Sequence, residues 1–112
     1  MNAVDFNKLI EDSCDQIKRV LVSKNTEYAS KDDVFHNFST AGQRRGISKE
    51  RALDGMMLKH EVSVGDLIRW AEQSPERLTR ELIDEKIGDN INYLLLLKGM
   101  LYEHVVPGLK PK

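Results

Sequence analysis

Three polar side chains with metal-binding chemistry recur at helical spacing in the stretch from Glu81 to Leu97 of this 112-residue chain. Glu85, Asp89 and Asn92 are separated by four and then three residues, so on a helix they project within about 60° of one another. From Ile87 onward the same stretch is apolar nearly all round, which is typical of a buried helix. An ionised carboxylate that is buried without a partner either costs several kcal/mol or shifts its pKa until it is neutral. We therefore expect these acids to meet a cation, a network of hydrogen-bond donors or a metal ion.

A second group of polar side chains lies among apolar ones in the stretch 49–72, which has the spacing of another long helix. His60 falls at the centre of the apolar face of this helix, and Lys59 and Asp66 flank it. A lone histidine on an apolar face is more often a hydrogen-bonded core residue than a ligand, so the two charged neighbours are what favour a functional role. If the polar faces of the two helices meet, they assemble carboxylate oxygens, an amide, an ammonium and an imidazole.

These residue types favour a magnesium site that binds phosphate. Mg²⁺ prefers oxygen ligands and keeps several waters that phosphates can displace. We expect Glu85 and Asp89 to be catalytic metal ligands, with Asp66 as a third ligand. Lys59 and His60 would then contact phosphate. The alternative is a buried ion pair, for example between Lys59 and Asp89, that only fixes the register of the two helices.

A nucleotide would also contact the protein through its base and sugar. The polar stretch 24–33 predicts a loop, and loops often supply site residues. Tyr28 in this stretch could stack on a base, while Asn37 and Asn92 could contact a base or a sugar hydroxyl. The alternatives are that Tyr28 only anchors a surface loop and that Asn92 braces the carboxylate of Asp89.

Composition and charge exclude several other classes of protein. The net charge is −1, with 31% charged and 40% hydrophobic residues, which is ordinary for a globular domain and offers no basic stripe for direct DNA binding. Cys14 is the only cysteine, so there is neither an intrachain disulfide nor a cysteine metal cluster, and we expect its thiol to be buried. The longest apolar run, Tyr93 to Leu97, is too short to cross a bilayer, and because the first residues lack a basic stretch followed by an apolar one, we expect no secretory signal. We expect a cytoplasmic protein without a membrane partner.

Hydrophobic periodicity predicts an all-α fold, a helical bundle of three long helices and one short helix. The chain reads as a single domain over residues 1–106, followed by a frayed tail at 107–112. The expected long helices cover residues 3–23, about 49–72, and a last one that Ser74 caps and that runs to about 104. Asp32 or Asp33 caps the short helix, which ends near Arg45.

Four segments carry a family resemblance. They are KNTEYAS at 24–30, VFHNF at 34–38, ALDGMMLKHEVSVGD at 52–66 and EKIGDNINYL at 85–94. Together they resemble a family of small phage-encoded proteins with MazG-like or nucleotide-modification-associated domains. The segment EKIGDNINYLLLL is similar to the last helix of the MazG-like, all-α nucleotide pyrophosphohydrolases. The resemblance implies an all-α fold, a nucleotide ligand, a homo-oligomer such as a dimer, and the host cytoplasm as location.

Three hypotheses about function follow. The first is an Mg²⁺-dependent hydrolase that acts on a nucleoside triphosphate or a modified nucleotide and releases pyrophosphate. The second is a phage protein that binds a nucleotide without turning it over. The third is a structural or host-interaction protein whose internal polar groups only set the register of its helices.

Overall fold

The computed structural model describes the backbone of residues 1–28 and 33–109, and the side chains of residues 1–23 and 33–109. The predicted all-α class is confirmed for these residues, which form four α-helices. The helices and their bounds are α1 (Ala3–Tyr28), α2 (His36–Arg45), α3 (Lys49–Gln73) and α4 (Arg80–Val105). A 3₁₀ turn, Pro75–Arg77, lies between α3 and α4. In the described part of the chain, no helix is long and apolar enough to cross a membrane.

Helices α3 and α4 form an antiparallel hairpin, which positions most of the polar residues discussed below. Lys49 at the start of α3 forms an ion pair with Glu103 near the end of α4, and the adjacent Glu50 lies 3.0 Å from His104. Near the middle of both helices, His60 faces Asp89. The connecting segment is short, and short helix connections produce antiparallel neighbours.

The hydrophobic core lies where α2 and the segment before it meet the α3–α4 hairpin. Its fully buried side chains are Leu53 and Met100. The ring of Phe35 enters this core beside Gly99, where an added Cβ would lie only 2.9 Å from the ring. The core cluster and the partly buried side chains that pack against it are Phe35, Leu53, Met57 and Met100, with Phe38, Tyr93, Leu96 and Leu97.

Two helix starts differ in how well the sequence predicts them. Ser48 caps α3 as expected, because its hydroxyl oxygen accepts a hydrogen bond from the backbone N–H of Arg51 at 3.1 Å. The prediction that Ser74 caps the last helix is wrong, since Pro75 opens only a 3₁₀ turn. Thr79 is the real cap of α4, and its hydroxyl accepts from the N–H of Leu82 at 3.1 Å.

Helix α1 also departs from the sequence-based expectations. It does not end at residue 23 but continues to Tyr28, so part of the predicted loop is helical. The segment 24–28 is polar but contains no glycine or proline, and polarity alone does not stop a helix. The prediction that Cys14 is buried is also wrong, because its side chain is exposed on a helix whose apolar face is only partly covered.

Candidate functional site

A groove of about 370 Å³ between α1 and α4 collects the acidic side chains of α4. The α4 wall carries carboxylates from three turns of one helix side, and the α1 wall is formed by one amide and two aliphatic side chains. The lining residues are Glu81, Asp84, Glu85, Gly88, Asp89 and Asn92 of α4, with Gln16, Ile17 and Val20 of α1. Glu81, Glu85 and Asp89 recur every four residues and so share this side of the helix, while Asp84 lies at its edge, about 100° around the helix from Glu85.

The groove is strongly negative. None of its lining side chains in the described part of the chain is basic. Asp84 lies 3.9 Å from Arg80, but the arginine side chain is 82% exposed, and such surface pairs are screened by solvent. A concave surface that is lined by carboxylates strengthens the local negative electrostatic potential and so attracts cations.

Asn92 supplies an unusual buried group at the same place. Its side chain is only 6% exposed, and its Oδ1 atom accepts no hydrogen bond within the part of the chain that the structure describes. An unpaired buried acceptor costs about 1–3 kcal/mol. Asn92 lines the groove together with Asp89, so a small turn of its amide toward the groove would let a bound water or ligand supply the missing partner.

Asp89 also faces the α3–α4 interface, opposite the groove. One of its carboxylate oxygens lies 3.8 Å from Nδ1 of His60, and the His60 ring lies against the ring of Tyr93 at 4.6 Å between centroids. The Phe38 ring meets Tyr93 edge-on at 6.2 Å, which completes an aromatic backing behind the acid. His60 and Tyr93 therefore flank the Asp89 side chain on the side away from the groove.

The pKa of Tyr93 reflects this environment. Burial raises the pKa of its phenol above 10.0, and the negative charge of Asp89 raises it further. Both effects disfavour the phenolate. Tyr93 therefore stays neutral at ordinary pH and can serve only as a hydroxyl donor or acceptor there.

The structure brings together some of the sequence-predicted site residues. Glu85, Asp89 and Asn92 line one groove, and His60 reaches Asp89 from α3. The partner of Asp89 is thus His60 and not Lys59, whose side chain is exposed. The expected meeting of α3 and α4 does occur, but the groove that holds the acids lies between α1 and α4.

Other predicted site residues lie elsewhere. Asp66 pairs with Arg69 on α3 at 3.2 Å and does not line the groove. Asn37 is exposed in the first turn of α2, and it too is absent from the groove lining. The Tyr28 side chain lies outside the described residues. The expected ligand set of Glu85, Asp89 and Asp66 is not formed, since the described residues contain no group of three such side chains arranged to hold a metal ion.

Sequence reasoning missed the α1 wall and part of the acidic wall. Glu81 lies four residues before Glu85, so its place in the groove was readable from the sequence, whereas Asp84 lies about 100° around the helix from Glu85 and carried no such signal. Gln16 of α1 offered no comparable signal, because nothing in the sequence specifies which face of α4 receives α1.

A scan against protein-family models, a search of the curated proteins and a search of the solved structures found no match to this chain.

Proposed function

We propose that this protein is an Mg²⁺-dependent nucleotide pyrophosphohydrolase of the MazG-like type, and that it binds a nucleoside triphosphate or a modified nucleotide in the groove between α1 and α4. The observation that carries the proposal is the coincidence of the acidic wall with the unpaired, buried amide oxygen of Asn92. Carboxylates alone would mark only a solvated helix face, and the unpaired acceptor beside them supports a bound polar group at the same place.

The residues of the groove fit a magnesium ion. Mg²⁺ is commonly held by one or two carboxylates, several waters and the phosphates of its substrate, so a dedicated cage of protein ligands is not needed. Glu85 and Asp89 are one turn apart on the same wall and would hold the ion together. When bound, the ion would neutralise phosphate charge and make a coordinated water more acidic.

The chain's own residues would then position the substrate. Asp89 would be shared between His60 on the α3 side and the ligand on the groove side, and the amide of Asn92 would accept a hydrogen bond from a coordinated water or a sugar hydroxyl once its oxygen is turned toward the groove. Ile17 and Val20 give the opposite wall an apolar surface suited to a base. The volume of about 370 Å³ is at the lower end of the range for small-molecule sites.

The proposal includes a homo-oligomeric, phage-type protein of the host cytoplasm, as the family resemblance implies. Lys59, Asn37 and Asp66 are left out of the proposed site, because none of them lines the groove.

A second candidate function is nucleotide binding without turnover. It is favoured by the arrangement of the acids, which follow one helix and form no group of three potential metal ligands within the described residues. A protein of this kind would bind the same ligand in the same groove but release no pyrophosphate.

A thermal-shift assay with a panel of nucleoside triphosphates, with and without Mg²⁺, tests both candidates. A ligand that binds only the folded state at about 100 times its Kd should raise the Tm by on the order of 10 °C for a domain of this size. We expect that rise to require both Mg²⁺ and nucleotide, and pyrophosphate release to accompany it. A rise without pyrophosphate release would favour the second candidate, and no rise with any nucleotide would contradict both.

Two matched variants locate the binding. Asp89→Asn removes the central carboxylate of the groove and should abolish the Mg²⁺-dependent rise in Tm. Asp54→Asn makes the same change at an exposed acid of α3, which lies 3.4 Å from Arg51, and should leave the rise intact. Equal behaviour of the two variants would exclude the groove as the binding site.

A further inference from the structure

The single chain leaves more surface exposed than a folded monomer of its mass. Its accessible surface is 8491 Å² for 12.8 kDa, whereas a monomer of that mass exposes about 6,300 Å². Its radius of gyration is 16.5 Å, against about 13 Å for a globular domain of similar length. The difference is roughly 2,200 Å², and the exposed apolar side chains of α1 and α4 contribute surface to it that another molecule could cover.

Part of this surface is an apolar stripe on α4. Ile83, Ile87, Leu94 and Leu101, which we call the outer stripe, are each between 38% and 50% exposed. Their spacing of four, seven and seven residues places them within about 40° of one another. They lie on the side of α4 opposite Asn92 and Glu103, which are buried.

The apolar surface continues from the outer stripe onto α1. Leu9 lines a crevice together with Ile83 and Ile87. Phe6 and Ile10, near Leu9 on the same face of α1, are about half exposed. The exposed apolar area is therefore continuous across two helices, and contiguous apolar area of this kind marks an interaction site.

We propose that the outer stripe is the interface through which two copies of this chain form a two-fold symmetric dimer, with α4 packed against α4 of the second copy. This inference rests on the homo-oligomeric state proposed above and gives it a surface. An interface that covered about 800 Å² on each copy, well under half of the difference, would already reach the standard size of about 1,600 Å² in total. A two-fold interface uses the same patch on both subunits, so a self-complementary aliphatic stripe satisfies it without a second surface.

The spacing of the outer stripe is that of a paired helix seam. Ile83, Ile87, Leu94 and Leu101 follow a heptad pattern in which Asn90 occupies one further seam position. Asn90 is only partly exposed, and its amide oxygen accepts no hydrogen bond in the described part of the single chain. A single asparagine in such a seam pairs with its symmetry mate and fixes the register of the helices. The Asn90 oxygen is covered in the single chain, so the amide turns outward on association and the two Asn90 side chains meet across the two-fold axis.

Light scattering after size-exclusion chromatography, without nucleotide, tests whether the protein is a dimer and whether the outer stripe is its interface. The wild-type protein should have twice the mass of the 12.8 kDa chain. Leu94→Lys should be monomeric with unchanged helix content by circular dichroism, because this side chain is exposed in the single chain and a buried ammonium is costly. Leu58→Lys, the same change at an exposed leucine of α3, should remain a dimer.

The outcomes separate the parts of the inference. A monomeric wild type would overturn both the surface and the homo-oligomer. A Leu94→Lys protein that is still dimeric would overturn the outer stripe while leaving a dimer through another face. Neither result bears on nucleotide binding, which the thermal-shift assay measures independently.

A disulfide tests the position of Asn90. In a Cys14→Ser background, Asn90→Cys should form a covalent dimer on mild oxidation, because symmetry mates at an axis bring their Cα atoms within disulfide reach of about 7 Å. Leu58→Cys in the same background should not. Absence of a covalent dimer from Asn90→Cys would overturn the asparagine pairing.

Discussion

Asp89 takes part both in the groove between α1 and α4 and in the interface between α3 and α4. Its carboxylate belongs to the groove wall with Glu85, and it also lies 3.8 Å from His60 and lowers the acidity of Tyr93. A carboxylate that is flanked on one side and open on the other can bind a cation without first losing much side-chain freedom. This geometry gives Asp89 a role that the exposed acids of the same helix do not share.

The contact between Asp89 and Tyr93 predicts a measurable titration. Because burial and the Asp89 charge both raise the pKa of Tyr93, Asp89→Asn should lower that pKa while leaving it above 10.0. The measurement is a difference titration of phenolate absorbance between the protein and its Tyr93→Phe variant, in both backgrounds. A Tyr93 pKa that does not respond to Asp89→Asn would contradict the contact.

The raised pKa of Tyr93 also sets the sign of a stability effect at alkaline pH. The folded-state pKa exceeds the unfolded value, so the contribution of Tyr93 to stability is fully present below about pH 10 and is lost as the pH rises through the folded-state pKa. Tyr93→Phe should therefore lose less stability between neutral pH and high alkaline pH than the wild type does. An equal alkaline loss in both proteins, measured by denaturant unfolding, would argue against a buried phenol.

At the scale of elements, polar contacts fix the α3–α4 hairpin at the end away from its connection. Lys49 and Glu103 form an ion pair whose side chains are largely buried, and Lys49 also lies over the ring of Phe35 at 5.4 Å. In the neighbouring pair, burial raises the pKa of Glu50, but its hydrogen bonds with His104 and the backbone, together with the charges of Lys49 and His104, outweigh this and hold the pKa below 4.5. The stabilisation from Glu50 is therefore present above about pH 4.5 and is lost as the pH falls through its lowered pKa.

Breaking the Lys49–Glu103 pair on one side should be costly. Lys49→Met leaves the Glu103 carboxylate buried without its cation and should reduce the free energy of unfolding by about 3 kcal/mol. The double variant Lys49→Met/Glu103→Leu removes both charges and should recover most of that loss. Urea denaturation of the two variants measures both values. A single variant as stable as the wild type would show that the pair is solvated and not buried.

The sequence predicts the ends of these helices well where a local signal, such as a capping residue, sets them. It predicts them poorly where contacts between helices set them. Ser48 signals the start of α3 because its hydroxyl completes a cap within the same turn. Ser74 and Pro75 carry an equally plausible signal, yet the helix starts only after Thr79, since the choice between two nearby caps depends on how the hairpin packs. The predicted end of α1 at residue 23 is wrong because the polar segment that follows contains no residue that breaks a helix.

At the scale of the whole molecule, the described chain has a small core and a large apolar surface. Prediction from the sequence treated α4 as buried nearly all round, but Ile87 and Leu94 are 38% and 49% exposed in the single chain. The hydrophobic pattern predicts which faces of a helix are apolar. It does not predict whether those faces are buried by the same chain or by another molecule. The acidic spacing likewise predicted that Glu85 and Asp89 share a side, while the identity of the opposite wall, α1, depended on packing that no local pattern encodes.

A dimer that buries this surface predicts a stability that depends on protein concentration. Association with a second folded copy stabilises the folded state by mass action, so the Tm should rise as concentration increases. Differential scanning calorimetry over an approximately hundredfold range of concentration measures the effect. The Leu94→Lys variant, in which the outer stripe is interrupted, should melt at a lower temperature that does not depend on concentration, and a concentration-independent Tm of the wild type would contradict the dimer.

The most direct test of the central claim is to measure how a divalent cation binds to the α4 acids. Electron paramagnetic resonance of free Mn²⁺, used in place of Mg²⁺, counts the bound ions in the presence of a non-hydrolysable nucleoside triphosphate analogue. We predict one additional Mn²⁺ bound per wild-type chain beyond that held by the free analogue, its loss in Glu85→Gln and Asp89→Asn, and its retention in Asp54→Asn. Equal Mn²⁺ binding by the wild type and the Asp89→Asn variant would contradict the assignment of this groove as a metal–nucleotide site.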